Sequence, residues 1–328
     1  MKTILISGGG GYLGTFLTQF LLKKNNVIVF DQFYFKWLFK NKNKIKFNKR
    51  LKFIKKNILD VSARDFKGVD IVCDLNGIPN DPSAELNKKY TWQINYYGRK
   101  KFARLAKDCG VKRYIFNSTC AVYGYNKNIV YESSIKNPLS TYAKANLRAE
   151  SEIFKMRNKK FKVNIFRNST LFGFSQNLRL DLVINIFVNS FIKKGKITIN
   201  GDGMQWRPFI SLTDVAKIYD RVISQSKLPS FIINLVAFNS TIKDLAYKVL
   251  KYFKAPKKQA EFIVLNKDNR NYRTKSNNFK KYFKKFKYSN FNNEIKELII
   301  GIKKYKIKSD SYTVRMKFYK KKLSNWDF

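Results

Sequence analysis

Residues 7–14 read Ser-Gly-Gly-Gly-Gly-Tyr-Leu-Gly, and no other stretch constrains the chain as much. They follow an apolar run, Thr3–Ser7, that reads as a buried strand, and they lead into Tyr12–Leu22, where apolar residues recur at helical spacing. Strand, glycine turn and helix in that order make the start of a dinucleotide-binding unit. One glycine allows the tight turn, one lets the backbone approach a pyrophosphate, and one lets the helix pack on the sheet. The phosphates then sit at the helix N-terminus, where free N–H groups and the helix dipole favour anions. Two registers fit: Gly9-x-Gly11-x-x-Gly14 and the wider Gly8-x-x-Gly11-x-x-Gly14.

The rest of the chain alternates strand and helix patterns. Strands are expected at Val27–Phe30, Leu51–Lys55, Ile71–Leu75, Tyr114–Ser118 and Val163–Arg167, with helices over much of 84–108 and from about Tyr142 to Arg157. That alternation predicts an α/β fold with a doubly wound parallel sheet. Asp31 ends the second strand, where an acid can bond both ribose hydroxyls of an adenosine and would repel a 2′-phosphate, so it favours NAD over NADP. Gln32–Arg50 reads as a surface excursion. Beyond Gly173 the rhythm breaks into an apolar helix (Asp181–Ile192), a short strand (Ile197–Ile199), a helix (Asp214–Ser224), a last sheet strand (Phe231–Leu235) and a lysine-rich, aromatic, helical tail from about Ser240. The expected division is 1–175 for the dinucleotide domain, rejoined by about 205–238, with 176–204 and 239–328 forming a smaller substrate-binding lobe.

Composition removes several chemistries. Histidine is absent, which excludes a Ser-His-Asp triad, a His-based metal centre and any His acid–base group. Three cysteines (Cys73, Cys109, Cys120) without metal-type spacing point to a reducing compartment and no metal. No apolar run reaches the roughly 18 residues of a membrane span, and the apolar start belongs to the first strand, so a cytoplasmic protein is expected. The formal charge is +45. Contact with nucleic acid or an anionic membrane would use it, for example through Lys280–Lys287 with its interleaved aromatics, but a solvated lysine coat is the favoured reading.

Several motifs occur in a fixed order: Ser7–Gly14, Asp31, Asp60, Ile94-Asn95-Tyr96-Tyr97-Gly98, Ser118–Gly124, Tyr142, Arg167, Gly201–Asp214 and Asp268–Arg273. Together they resemble the extended short-chain dehydrogenase/reductase family, in particular its NAD-dependent nucleotide-sugar epimerases and dehydratases, from residue 1 to about 288. The resemblance implies a Rossmann-type sheet and the wider glycine register. It implies NAD contacts at Gly8, Gly11, Tyr12, Leu13, Gly14, Asp31, Asp60 (at the adenine), Leu75, Asn76 and Asn95. It also implies a diphosphate clamp by Arg207 and Arg270, whose guanidinium forks suit phosphate oxygens. A nucleotide-diphosphate sugar is the implied ligand, and a homodimer through the helices around 84–108 and 142–157 the implied assembly.

Members of that family move a hydride between NAD and a sugar carbon while a tyrosine handles the hydroxyl proton. Tyr142 and Thr119 stand at the tyrosine and hydroxyl positions. A free tyrosine ionises near pH 10 and needs help near neutrality. The family supplies a lysine at i+4; here that place is Asn146, and Lys144 at i+2 points elsewhere. Cys120 and Ala121 stand where family dehydratases resemble one another in having an Asp-Glu pair. The expectation is therefore a nucleotide-sugar epimerase. The alternatives are a reductase/dehydrogenase of such sugars, or an impaired NAD-binding member because of Asn146.

Overall fold

The computed structural model describes residues 1–35, 49–263 and 271–323. Its strands are β1 (Thr3–Ser7), β2 (Asn26–Asp31), β3 (Leu51–Lys55), β4 (Ile71–Asp74), β5 (Arg113–Thr119), the two-residue β6 (Ile129–Val130), β7 (Lys162–Asn168), β8 (Thr170–Phe172), β9 (Ile197–Asn200), β10 (Trp206–Ser211) and β11 (Phe231–Leu235). Seven of them form one parallel sheet in the order β11-β7-β5-β4-β1-β2-β3. Side chains alternate along each strand, so one apolar run feeds two cores. Ile4 and Ile6 enter the core that holds helices Tyr12–Leu22 and Leu212–Ser224. Leu5 enters the other, with helices Arg99–Asp108 and Thr141–Lys155.

The strand order reverses between β1 and β4, which opens a crevice at their carboxyl ends. Ser7 there lies in register with Phe30 on one side and Asp74 on the other. The glycine turn leads from this point into the helix Tyr12–Leu22. Gly8 has φ +70°, and a Cβ on it would sit 2.7 Å from the Leu75 carbonyl oxygen. A Cβ on Gly14 would lie 2.6 Å from the Cα of Gly9. The helix therefore approaches the turn as closely as backbone allows.

The helix expected over much of 84–108 runs without interruption from Lys88 to Asp108, and a short separate helix precedes it. Asn80 and Asn87 each accept a backbone N–H three residues on, from Ser83 (2.9 Å) and Tyr90 (2.8 Å). These two caps start separate helices at Asp81–Glu85 and Lys88–Trp92. A π-helical stretch, Gln93–Gly98, then joins the helix Arg99–Asp108.

The smaller lobe carries a three-stranded sheet in which β10 pairs with β8 in parallel and with β12 (Phe238–Thr241) antiparallel. β13 (Ala260–Ile263) pairs with β9, and β14 (Arg273–Thr274) with β6. Strand β11 and helix Leu212–Ser224 return to the main sheet, whereas β10 stays in the small one. The aromatic stretch near Lys280–Lys287 packs inward: Phe279 and Phe283 are buried, and Tyr282 stacks on Phe231 with ring centroids 4.2 Å apart. Among the described residues no helix is long and apolar enough to cross a membrane.

Gly14→Ala tests the close approach. It is expected to lower the thermal unfolding midpoint, because overpacking of this kind costs about 1–3 kcal/mol. A melt followed by circular dichroism that is unchanged from the parent protein would contradict the packing described here.

Candidate active site

A cavity of about 1920 Å³ runs from the crevice between β1 and β4 into the smaller lobe. Drug-sized ligand pockets measure about 300–1,000 Å³, so this volume suits two ligands end to end. Gly8, Gly11 and Gly14, the wider register, all line it. The helix Tyr12–Leu22 begins there with Gly11 as N-cap, no side-chain cap and no acidic residue in its first turn. Its first N–H groups are left for an anion. A Cβ on Gly11 would meet only the Gly8 carbonyl oxygen, at 3.2 Å, so the missing side chain leaves a cradle facing the cavity. Asp31 lines the same wall and accepts N–H groups from Gly10 (3.0 Å) and Phe33 (2.6 Å). Burial pushes its carboxyl above the usual range, and these N–H bonds pull it back. An uncapped helix start, a glycine cradle and an acid at the end of β2 fit a dinucleotide.

The structure brings most of the sequence-predicted contacts to this wall, with one correction. Tyr12, Leu13, Leu75, Asn76 and Asn95 line the cavity. The Tyr12 hydroxyl also donates to the Gly173 carbonyl (2.6 Å), tying the glycine turn to the other lobe. Asn95, in the π-helical stretch, accepts from the Ile78 N–H (2.8 Å) and donates to the Ile78 carbonyl (3.1 Å), which fixes the loop after β4. Asp60 is exposed and does not line the cavity; Asn57, three residues earlier, does. The segment is a single 3-10 turn, Ile58–Asp60, capped by Asn57, so its two ends face different ways. Arg207, on β10, is buried, lines the cavity and donates to the Trp206 carbonyl (2.7 Å). Arg270 lies outside the described residues.

At the far end of the crevice, Thr119 closes β5 and Tyr142 sits in the first turn of the helix Thr141–Lys155. The Thr119 hydroxyl lies beside the phenol and favours its ionisation. Burial pushes the Tyr142 phenol above its ordinary value and Asp81 adds to this; the Thr119 hydroxyl and the Arg179 and Arg99 cations pull it back. Asn146 is buried one turn on, and Lys144 is exposed. Cys120 is fully buried, and burial pushes its thiol up to about 12.

Three cavity-lining arginines were not singled out from the sequence. Arg99 donates to Asp74 and Asn146. Arg179 forms a two-bond pair with Asp181 (3.0 and 2.9 Å), which also accepts from Asn80 (2.9 Å). Arg315, from the C-terminal helix Arg315–Leu323, is 1% exposed, stacks 3.6 Å over Phe35 and donates to the Asn177 carbonyl (3.2 Å). Asn177 in turn donates to the Gly10 carbonyl. Among the described residues no carboxylate forms an ion pair with Arg315. Nothing local in the sequence marks these residues, because each depends on partners far along the chain.

The profile described as NAD dependent epimerase/dehydratase family matches residues 4–235, and the chain belongs to that family of enzymes. Relatives include the uncharacterized UDP-glucose epimerase YtcB of Bacillus subtilis (29% identical; 71% of this chain, 76% of the relative) and a putative UDP-glucose 4-epimerase of Methanocaldococcus jannaschii (30%; 65% and 71%). The dTDP-D-glucose 4,6-dehydratase of Homo sapiens is 27% identical over 79% of this chain and 76% of its own. Among solved structures, the UDP-glucuronic acid 4-epimerase from Bacillus cereus, in complex with UDP-glucuronic acid and NAD, shares the fold with a TM-score of 0.80 at 22% identity, covering 92% of this chain and 99% of that one.

The two candidate adenine-side residues are separable. Asn57→Ala is expected to weaken NAD binding several-fold in isothermal titration calorimetry, whereas Asp60→Asn leaves it within about twofold, since losing one hydrogen bond costs about 0.5–1.5 kcal/mol. The opposite ranking would restore Asp60 to the site.

Proposed function

We propose that the protein is an NAD-dependent nucleotide-sugar epimerase. The carrying observation is that one cavity holds the glycine cradle, the Tyr142–Thr119 pair and Arg207 in sequence. A nucleotide sugar lies with its diphosphate toward the buried Arg207 guanidinium and its sugar at Tyr142. When bound, NAD supplies the hydride acceptor and donor. The Tyr142 phenol takes the proton from the reacting sugar hydroxyl and returns it later, and the Thr119 hydroxyl beside it favours its ionised form. Arg270 would complete the diphosphate clamp.

The absence of an acid beside Thr119 favours epimerisation over dehydration. Removing water from a sugar needs a group that protonates the leaving oxygen and a base for the carbon proton. Ala121 cannot serve, and the Cys120 thiol is buried and donates to the Arg167 carbonyl (3.1 Å). Similarity to the Bacillus subtilis and Methanocaldococcus jannaschii relatives, both described as UDP-glucose epimerases, supports the same choice.

The test is incubation with NAD⁺ and a panel of UDP- and dTDP-sugars, with chromatography and mass spectrometry of the products. An epimer of unchanged mass without net NADH is expected. Net NADH identifies a dehydrogenase, loss of water a dehydratase, and no product from any sugar removes the epimerase reading. Tyr142→Phe is expected to lower the rate by about 10²–10⁴, the usual worth of acid–base help. Because the phenol titrates high, the parent's rate should rise toward alkaline pH.

A further inference from the structure

We propose that Arg99 supplies, from the neighbouring helix, the cation that Asn146 does not, and so acts as the positioning residue for Tyr142. This rests on the reading of Tyr142 as the acid–base group. Asn146 occupies the i+4 place, but its side chain folds back along its own helix: Nδ2 donates to the Tyr142 carbonyl (2.8 Å). Its Oδ1 faces outward and accepts from Nη1 of Arg99 (2.8 Å). A cationic head therefore stands where the short Asn146 side chain ends. Arg99, Asn146, Thr119 and Tyr142 all line the same cavity.

The guanidinium is held there by its surroundings. Nε donates to Asp74 Oδ2 (2.9 Å), and Nη2 donates to the carbonyls of Asp74 (3.0 Å) and Asn117 (3.0 Å). Its face lies 3.7 Å from the centre of the Phe116 ring. Arg99 is 1% exposed. The planar guanidinium presents its donors in a fixed fork, which lets one side chain meet Asp74, Asn117 and Asn146 together. The Asp74 carboxylate is itself shared among Arg99, Ser7 (2.7 Å), Tyr114 (2.8 Å) and the Asn76 N–H (3.1 Å). Its negative charge is shared among these donors.

Other groups bear on Tyr142. Asp81, on the helix Asp81–Glu85, opposes ionisation of the phenol. Thr119 favours it, as does Arg179, paired with Asp181, and Arg99 acts with them. Removing Arg99 should therefore raise the Tyr142 titration, and unmasking it should lower it.

The measurement is an ultraviolet difference titration of tyrosinate, each variant against the same variant carrying Tyr142→Phe, so that only residue 142 is read. It needs no turnover. In Arg99→Met with Asp74→Asn, which removes both buried charges together, Tyr142 is expected to titrate about one pH unit higher, and Arg99→Lys should restore most of the difference. Asp74→Asn alone, which keeps the cation and removes its counter-charge, should move Tyr142 the opposite way; this variant carries the test if the double variant does not fold. Where a nucleotide sugar is turned over, the acidic limb of the kcat profile should move by the same amount. Tyr142 titrating alike in the parent, the folded double variant and Asp74→Asn would overturn the proposal. Absence of turnover with normal titration shifts would instead count against the epimerase reading alone.

Discussion

The Asp74 carboxylate is fully buried at the end of β4, beside the strand-order reversal, and much of the site is built around it. A lone buried carboxylate would be prohibitively costly; this one is satisfied by donors from four segments. Ser7 comes from β1, Asn76 from the loop after β4, Tyr114 from β5 and Arg99 from the helix Arg99–Asp108. Each donor is thereby fixed relative to the others. The glycine turn follows Ser7 directly, and Thr119 closes the strand that carries Tyr114. One desolvated charge thus sets the spacing between the two halves of the cavity.

A second buried pair does similar work on the next strand. Arg167 on β7 is bonded to Glu150 on the helix that carries Tyr142 and Asn146, and Ser118 on β5 also donates to Glu150 (2.8 Å). The helix is consequently locked to β5 and β7, the strands next to its reactive residues. The interior also draws on a scarce resource: Asp74, Glu150, Asp214 and Glu294 are all buried in a chain with only 22 acidic residues. The carboxylates left outside are too few to offset 67 lysines and arginines. Such a surface raises encounter rates with anionic ligands, most at low ionic strength.

The strands were legible in the sequence because a parallel sheet buried on both faces needs uninterrupted apolar runs, and the chain has them. The glycine turn was legible because its backbone geometry excludes other residues at Gly8 and Gly14. What the sequence hid was of two kinds. Local capping by Asn80 and Asn87 set where the helices over 81–108 begin, and a single 3-10 turn decided that Asn57 rather than Asp60 meets the cavity. The arginines of the site were hidden for another reason. Arg99 meets Asp74 across 25 residues and Asn146 across 47, and no periodicity reports such pairings. Asn146 looked like a loss when read alone, because its partner sits on a different helix.

The helix Arg315–Leu323 lies outside the matched profile, yet Arg315, Met316 and Tyr319 form part of the cavity wall. Its arginine meets Asn177, and Asn177 meets the glycine turn. The helix Arg315–Leu323 is thus a structural part of the chamber that the glycine turn opens. A substitution at Arg315 or Tyr319 therefore alters the lining of the same chamber that the glycine turn opens.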